Sequence, residues 1–132
     1  MENGSVIETL KFAFINEKRS PIDNPKWNEV EDALMLLGNI EKGGYISLRD
    51  FDDTRSMIIF GESGIYHIGI VTEDDENYVY CNGSAEVEVA EVPISGNYFK
   101  EHQICRDFEI LKTVVKYFYK TGLPSEDVIW ES

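Results

Sequence analysis

Across residues 56–99 the chain has no lysine and no arginine. A segment of 44 residues without a cation excludes the usual means of holding DNA, RNA or anionic lipid, all of which present phosphates. Cysteine is scarce too, with only Cys81 and Cys105 in 132 residues. The N-terminus, Met1-Glu-Asn-Gly-Ser-Val-Ile-Glu, lacks the basic stretch and apolar run of an export signal. Two cysteines without such a signal read as free thiols in a reducing compartment, so the expected location is cytoplasmic. The Asn3-Gly-Ser5 and Asn82-Gly-Ser84 glycosylation patterns then carry no weight. The apolar runs at 57–60 and 65–71, the second broken by His67, are too short to cross a membrane.

The chemistry-bearing motifs are also missing. No glycine-rich phosphate loop ends in lysine, and the dinucleotide fingerprint is absent. Gly61-Glu-Ser-Gly64 is not a nucleophile elbow, because G-x-S-x-G requires glycine where Ile65 stands. The stretch 50–55 contains Asp50, Asp52 and Asp53, but an EF-hand starting there would need glycine and glutamate at Arg55 and Gly61. Cys81, Cys105, His67 and His102 show none of the paired spacings of a zinc site. The expectation is therefore no cofactor, no metal and no enzyme. Cys105 at a helix start with His102, or His67 with a nearby carboxylate, is the one enzymatic alternative, and it needs a pocket that brings these groups together.

What the chain has is negative charge and a core. Twelve basic against twenty-five acidic residues give a net charge of −13, while 42% apolar and 12% aromatic residues exclude a disordered chain. The length suits one domain, 1–132. The cation-free segment carries Glu62, Glu73, Asp74, Asp75, Glu76, Glu86, Glu88 and Glu91, and Asp52 and Asp53 lie just before it. These ten are the candidate partner-binding residues, and the complement of such a surface is a basic protein. Tyr66, Tyr78, Tyr80 and Tyr98 are candidate anchors, with core packing as the competing role for each.

Periodicity predicts the elements. Alternation suggests a strand over 9–15, followed by a loop over 18–25. A helix follows, with Asn24 as its cap, Pro25 in first position, Trp27, Val30, Ala33, Leu34 and Leu37 inward, and Gly38 as stop. Strands are expected at 45–48, 56–60, 65–72 and 78–81, then a fifth alternating run through Val87, Val89 and Glu91. Their short connections imply an antiparallel meander. The stretch 93–102 reads as irregular, and a second helix spans 107–121, with Lys112, Lys116 and Lys120 as ordinary solvated surface. Gly122 and Pro124 end that helix, and 128–130 forms a last short strand in which Trp130 plugs the core. The fold class is α+β: a largely antiparallel β-meander sheet packed against two α-helices.

This order of elements, with Phe118-Tyr119-x-x-Gly122-Leu-Pro124 and Val128-x-Trp130, resembles the small immunity proteins of bacterial polymorphic-toxin and contact-dependent growth inhibition systems. It is most similar to the immunity family paired with deaminase-type toxins. The resemblance implies a non-enzymatic cytoplasmic protein that binds and neutralises a cognate toxin domain, one that is basic and acts on nucleic acid. The competing classes are an acidic adaptor unconnected to a toxin and the small Cys/His enzyme already named.

Overall fold

The computed structural model describes residues 5–14, 17–18, 20–39, 43–52, 54–73, 76–82, 91–94 and 96–131. In chain order the elements begin with β1 (Ile7–Phe14), β2 (Glu17–Lys18), β3 (Ile22–Asp23), α1 (Trp27–Gly38) and β4 (Gly44–Asp50). Then come β5 (Arg55–Glu62), β6 (Ile65–Thr72), β7 (Asn77–Cys81), β8 (Glu91–Ile94) and β9 (Asn97–Lys100). A single 3-10 turn (Glu101–Gln103), α2 (Phe108–Thr121) and β10 (Ile129–Glu131) complete the described chain.

The main sheet runs β10-β7-β6-β5-β4-β1-β2, with β3 also paired to β1, and every pairing in it is antiparallel. This is the expected α+β meander. Alternation decides its faces: Ile46, Leu48, Met57, Ile59, Ile68 and Ile70 point to one side and are buried. There they meet Val30, Ala33, Leu34 and Leu37 of α1, and Leu111, Val114, Val115, Phe118 and Tyr119 of α2, in one core cluster. Gly61 permits the close approach of α1. A Cβ built there would stand 2.6 Å from Leu37 Cγ, 2.9 Å from Leu37 Cδ2 and 3.0 Å from Tyr66 Cδ1.

The helix ends follow local chemistry, in one case differently from the expectation. Asp107 caps α2 by accepting from the Glu109 and Ile110 N–H groups, and Gly122 closes it in the left-handed region at φ 74°. At α1, however, the flanking residue is Lys26 and not Asn24. The Asn24 N–H donates to the Glu8 carbonyl at 2.7 Å, which ties that residue to β1, and the Tyr119 hydroxyl donates to the Pro25 carbonyl at 2.7 Å. Both residues are thereby held outside the helix, and Glu29 reaches back to accept from the Lys26 N–H at 2.9 Å. Two of the lysines of α2 do more than meet water. Lys112 lies 3.5 Å from Glu31 of α1, and Lys116 lies over the Trp27 ring at 5.5 Å.

The stretch 93–102 is not irregular. It supplies part of β8, all of β9 and the first two residues of the 3-10 turn, and β8 and β9 form a hairpin on the sheet face opposite the helices. Phe99 stacks on His67 at 4.0 Å and packs against Phe60 at 5.5 Å, fixing the hairpin over β5 and β6. Pro93 within β8 is what makes the strand illegible, since proline removes a ladder donor and is tolerated only where that loss is harmless. The expected strand through Val87 and Val89 lies outside the described residues, and Glu91 begins β8. Among the described residues, no helix is long and apolar enough to cross a membrane.

Candidate functional site

The β4–β5 and β6–β7 connections meet at one end of the sheet, because Arg55 and Thr72 are register partners. The Glu73 N–H donates to the Thr54 carbonyl at 2.7 Å and joins the two loops. Asp50 is buried and shapes the first loop: its carboxylate accepts from the Thr54 N–H at 2.9 Å, the Thr54 hydroxyl at 3.0 Å and the Arg55 N–H at 3.3 Å. In the second, the Thr72 N–H donates to the Glu76 carbonyl at 3.0 Å. These bonds fold each loop on itself and leave Asp52, Glu73 and Glu76 exposed as one negative rim.

Beside the rim, a cleft of about 170 Å³ lies between β5–β7 and the end of α2, lined in part by Glu73, Glu76, Tyr78, Leu123 and Pro124. It continues, through Tyr78, Leu123 and Pro124, into a groove of about 490 Å³ bounded by Tyr117, Glu126, Val128 and Trp130. The left-handed Gly122 turns the chain so that Leu123 faces water at 44% exposure. The Trp130 indole N–H donates to the Ser125 carbonyl at 2.8 Å, and the half-buried side chain both packs against the core and lines the groove. Arg55 lines the same cleft as Glu73 and Glu76. Its guanidinium donates to the Gly122 carbonyl at 3.1 Å, where it serves the negative end of the α2 dipole.

The five described candidate acids do not form one patch. Asp52, Glu73 and Glu76 come together, whereas Glu62 stands at the other end of the sheet beside the Ser63–Gly64 turn. Glu91 lies on the outer hairpin, opposite Lys100 in register. Asp53, Asp74, Asp75, Glu86 and Glu88 lie outside the described residues. Of the candidate aromatic anchors, Tyr66 and Tyr80 are core residues, Tyr78 lines the groove, and Tyr98 is 70% exposed on the outer hairpin. The contributions of Tyr117, Leu123 and Glu126 were not foreseen. The only sequence signal for them is Leu123-Pro124 directly after a helix stop, where an apolar side chain has no element to bury it.

The cysteines and histidines each have partners of their own. Cys105 is buried, its thiol donates to the Asp107 carbonyl at 3.4 Å, and burial pushes its pKa up, away from the thiolate. Burial likewise pushes the neighbouring Tyr80 up to about 12. His67, under Phe99, is pushed down to about 4 by burial, against a hydrogen bond to Gln103 that favours the charged form. His102 engages Glu131, its Nε2 lying 3.0 and 3.1 Å from the two carboxylate oxygens. Gln103 donates to the same carboxylate at 2.8 Å, and the Cys81 thiol lies 3.8 Å from it.

Residues 7–128 match a family described as a family of unknown function (DUF6911). No curated protein matches the chain. Among solved structures, the crystal structure of a hypothetical protein from Neisseria gonorrhoeae is similar, with a TM-score of 0.64 and 18% identity. That alignment covers 92% of this chain and 91% of the other, and at such identity the likeness speaks for the fold alone.

Proposed function

This chain belongs to DUF6911, a family of unknown function, and from that premise we propose that it is a non-enzymatic binding protein that captures a basic protein partner, in the manner of an immunity protein neutralising a cytoplasmic, nucleic-acid-acting toxin domain. The observation that carries the reading is the junction of the acidic rim, Asp52, Glu73 and Glu76, with the aromatic groove of Tyr78, Tyr117 and Trp130. A charged rim accelerates encounter with a cationic surface, and a few aromatic side chains in a groove supply most of the affinity. The net charge of −13 extends the same attraction over a longer range. The toxin assignment within this reading is supported by the sequence resemblance alone.

The test is recovery of the tagged protein from the lysate of its source strain with a moderate-salt wash. Equal amounts of one basic toxin domain would support the whole reading. An unrelated housekeeping protein would remove the toxin, and recovery of nothing would remove the binding role. With a partner in hand, replacing Glu73 and Glu76 by glutamine should slow association at low ionic strength on the order of threefold or more and flatten its salt dependence. Association rates unchanged at low salt would take this rim out of the interface.

A further inference from the structure

We infer that Cys81, His102 and Glu131 form a three-ligand site for a zinc-class divalent cation, with its open position on the Glu131 side. The three residues come from the end of β7, the 3-10 turn and β10, so their spacing in the sequence gives no hint of the cluster. One ligand atom from each lies within 4.8 Å of the others. A tetrahedral zinc ion with bonds of about 2.0–2.3 Å sets its sulfur, nitrogen and oxygen ligands roughly 3.3–3.6 Å apart. The observed separations of 3.0 Å from His102 Nε2 to Glu131 Oε2 and 3.8 Å from Cys81 Sγ to Glu131 Oε2 bracket that range. The Cys81 Sγ to His102 Nε2 separation also lies within 4.8 Å, and the ion would enter by replacing the direct His102–Glu131 contact.

The surroundings have the form that metal ligands need. Cys81 and His102 are buried, 9% and 3% exposed, while the Glu131 side chain is 40% exposed and leaves an entry path. Gln103 donates to Glu131 Oε1 at 2.8 Å and so orients the carboxylate, the usual duty of a group just outside a metal's own ligands. The turn carrying His102 is pinned to the end of β7, where the Asn82 N–H donates to the His102 carbonyl at 2.8 Å. The Asn82 amide also donates to the carbonyls of Glu101 at 3.1 Å and Ile104 at 3.0 Å. A thiol, an imidazole and a carboxylate are the donor set of borderline cations such as Zn²⁺ and Co²⁺, not of Ca²⁺ or Mg²⁺.

Titration of the metal-free, reduced protein with Co²⁺ followed by optical absorption tests the site. The expected result is saturation at one ion per chain, with the intense visible bands of a four-coordinate ion and a near-ultraviolet thiolate-to-cobalt band. Cys81→Ser should abolish the thiolate band, Cys105→Ser should leave it intact, and added Zn²⁺ should bleach the spectrum. Gln103→Ala should weaken affinity on the order of 10–100-fold while the bands persist. Should Cys81→Ser fail to fold, Glu131→Gln supplies the same test through weakened affinity. Absence of saturable binding, or a thiolate band that survives Cys81→Ser and vanishes in Cys105→Ser, would overturn the site and leave a structural His102–Glu131 pair.

Discussion

Replacing Gly61 by alanine should destabilise the protein even though alanine is the better residue for most ordered backbone. The added methyl would sit 2.6 Å from Leu37 Cγ, well inside van der Waals contact, and 3.0 Å from the Tyr66 ring. Leu37 is fully buried, and Cγ is the branch point of its side chain, so relief requires a shift of α1 against β5. Overpacking of this kind costs about 1–3 kcal/mol. The lost chain freedom of glycine returns about 0.5–1 kcal/mol, and a net loss of about 1 kcal/mol remains at the middle of the two ranges, with about 2.5 kcal/mol as its upper bound. Urea denaturation should show it as a lower midpoint at constant slope. A double-mutant cycle isolates the cause. Leu37→Ala alone should cost about 2–5 kcal/mol, and in its presence Gly61→Ala should cost little, giving a coupling of about 1–2 kcal/mol. Unchanged or raised stability in the single variant, or strict additivity in the double, would refute the claim that Gly61 sets the distance between α1 and the sheet.

Two further predictions concern the remainder of the fold. His67 has a folded pKa of about 4 against an ordinary 6.5, so its neutral form is favoured by folding. Its contribution is complete above pH 6.5 and is lost as pH falls from there toward 4, up to about 3 kcal/mol. The difference in urea stability between the wild type and His67→Gln, compared at pH 7.5 and pH 4.5, isolates this part from the carboxylates. A pH-independent difference, or an imidazole that titrates near 6.5 by NMR, would refute it. Trp130→Ala should cost about 1–3 kcal/mol, below the loss for a fully buried indole, because the side chain is only partly buried and lines the groove. A larger loss in thermal or urea unfolding would return Trp130 to the core.

Much of the architecture was legible because it rests on local periodicity. The run Ile65–Thr72 alternates strictly and is β6 to the residue, and Asp107 and Gly122 mark α2 at both ends. What was illegible depends on contacts remote in sequence. Asn24 has the chemistry of a cap, yet a bond to Glu8 in β1 holds it outside the helix. The hairpin of β8 and β9 was hidden by Pro93 and is fixed by Phe99 on His67, which only the folded chain brings together. Charge counting found Asp52, Glu73 and Glu76, but charge has no direction in a sequence, and Glu62 and Glu91 went elsewhere. The groove residues Tyr117 and Leu123 needed the junction of α2, β7 and β10 to appear at all, and the Cys81–His102–Glu131 cluster needed that of β7, the 3-10 turn and β10.

The edges of the main sheet are narrow. At one end β1 is covered in two pieces, by β2 at Ala13 and Phe14 and by β3 at Thr9 and Leu10. At the other, β10 covers β7 with only three residues and ends its pairing on Glu131. Among the described residues, short edge strands and terminal charge give an incoming strand no long row of unpaired amides and carbonyls on the main sheet to copy. On the binding role proposed above, a partner would be gripped by side chains and not by extension of the main sheet. Its recognition would then depend on the shape and charge of the surface it meets, and single substitutions at the groove would change the choice of partner while the backbone ladder beneath stays intact.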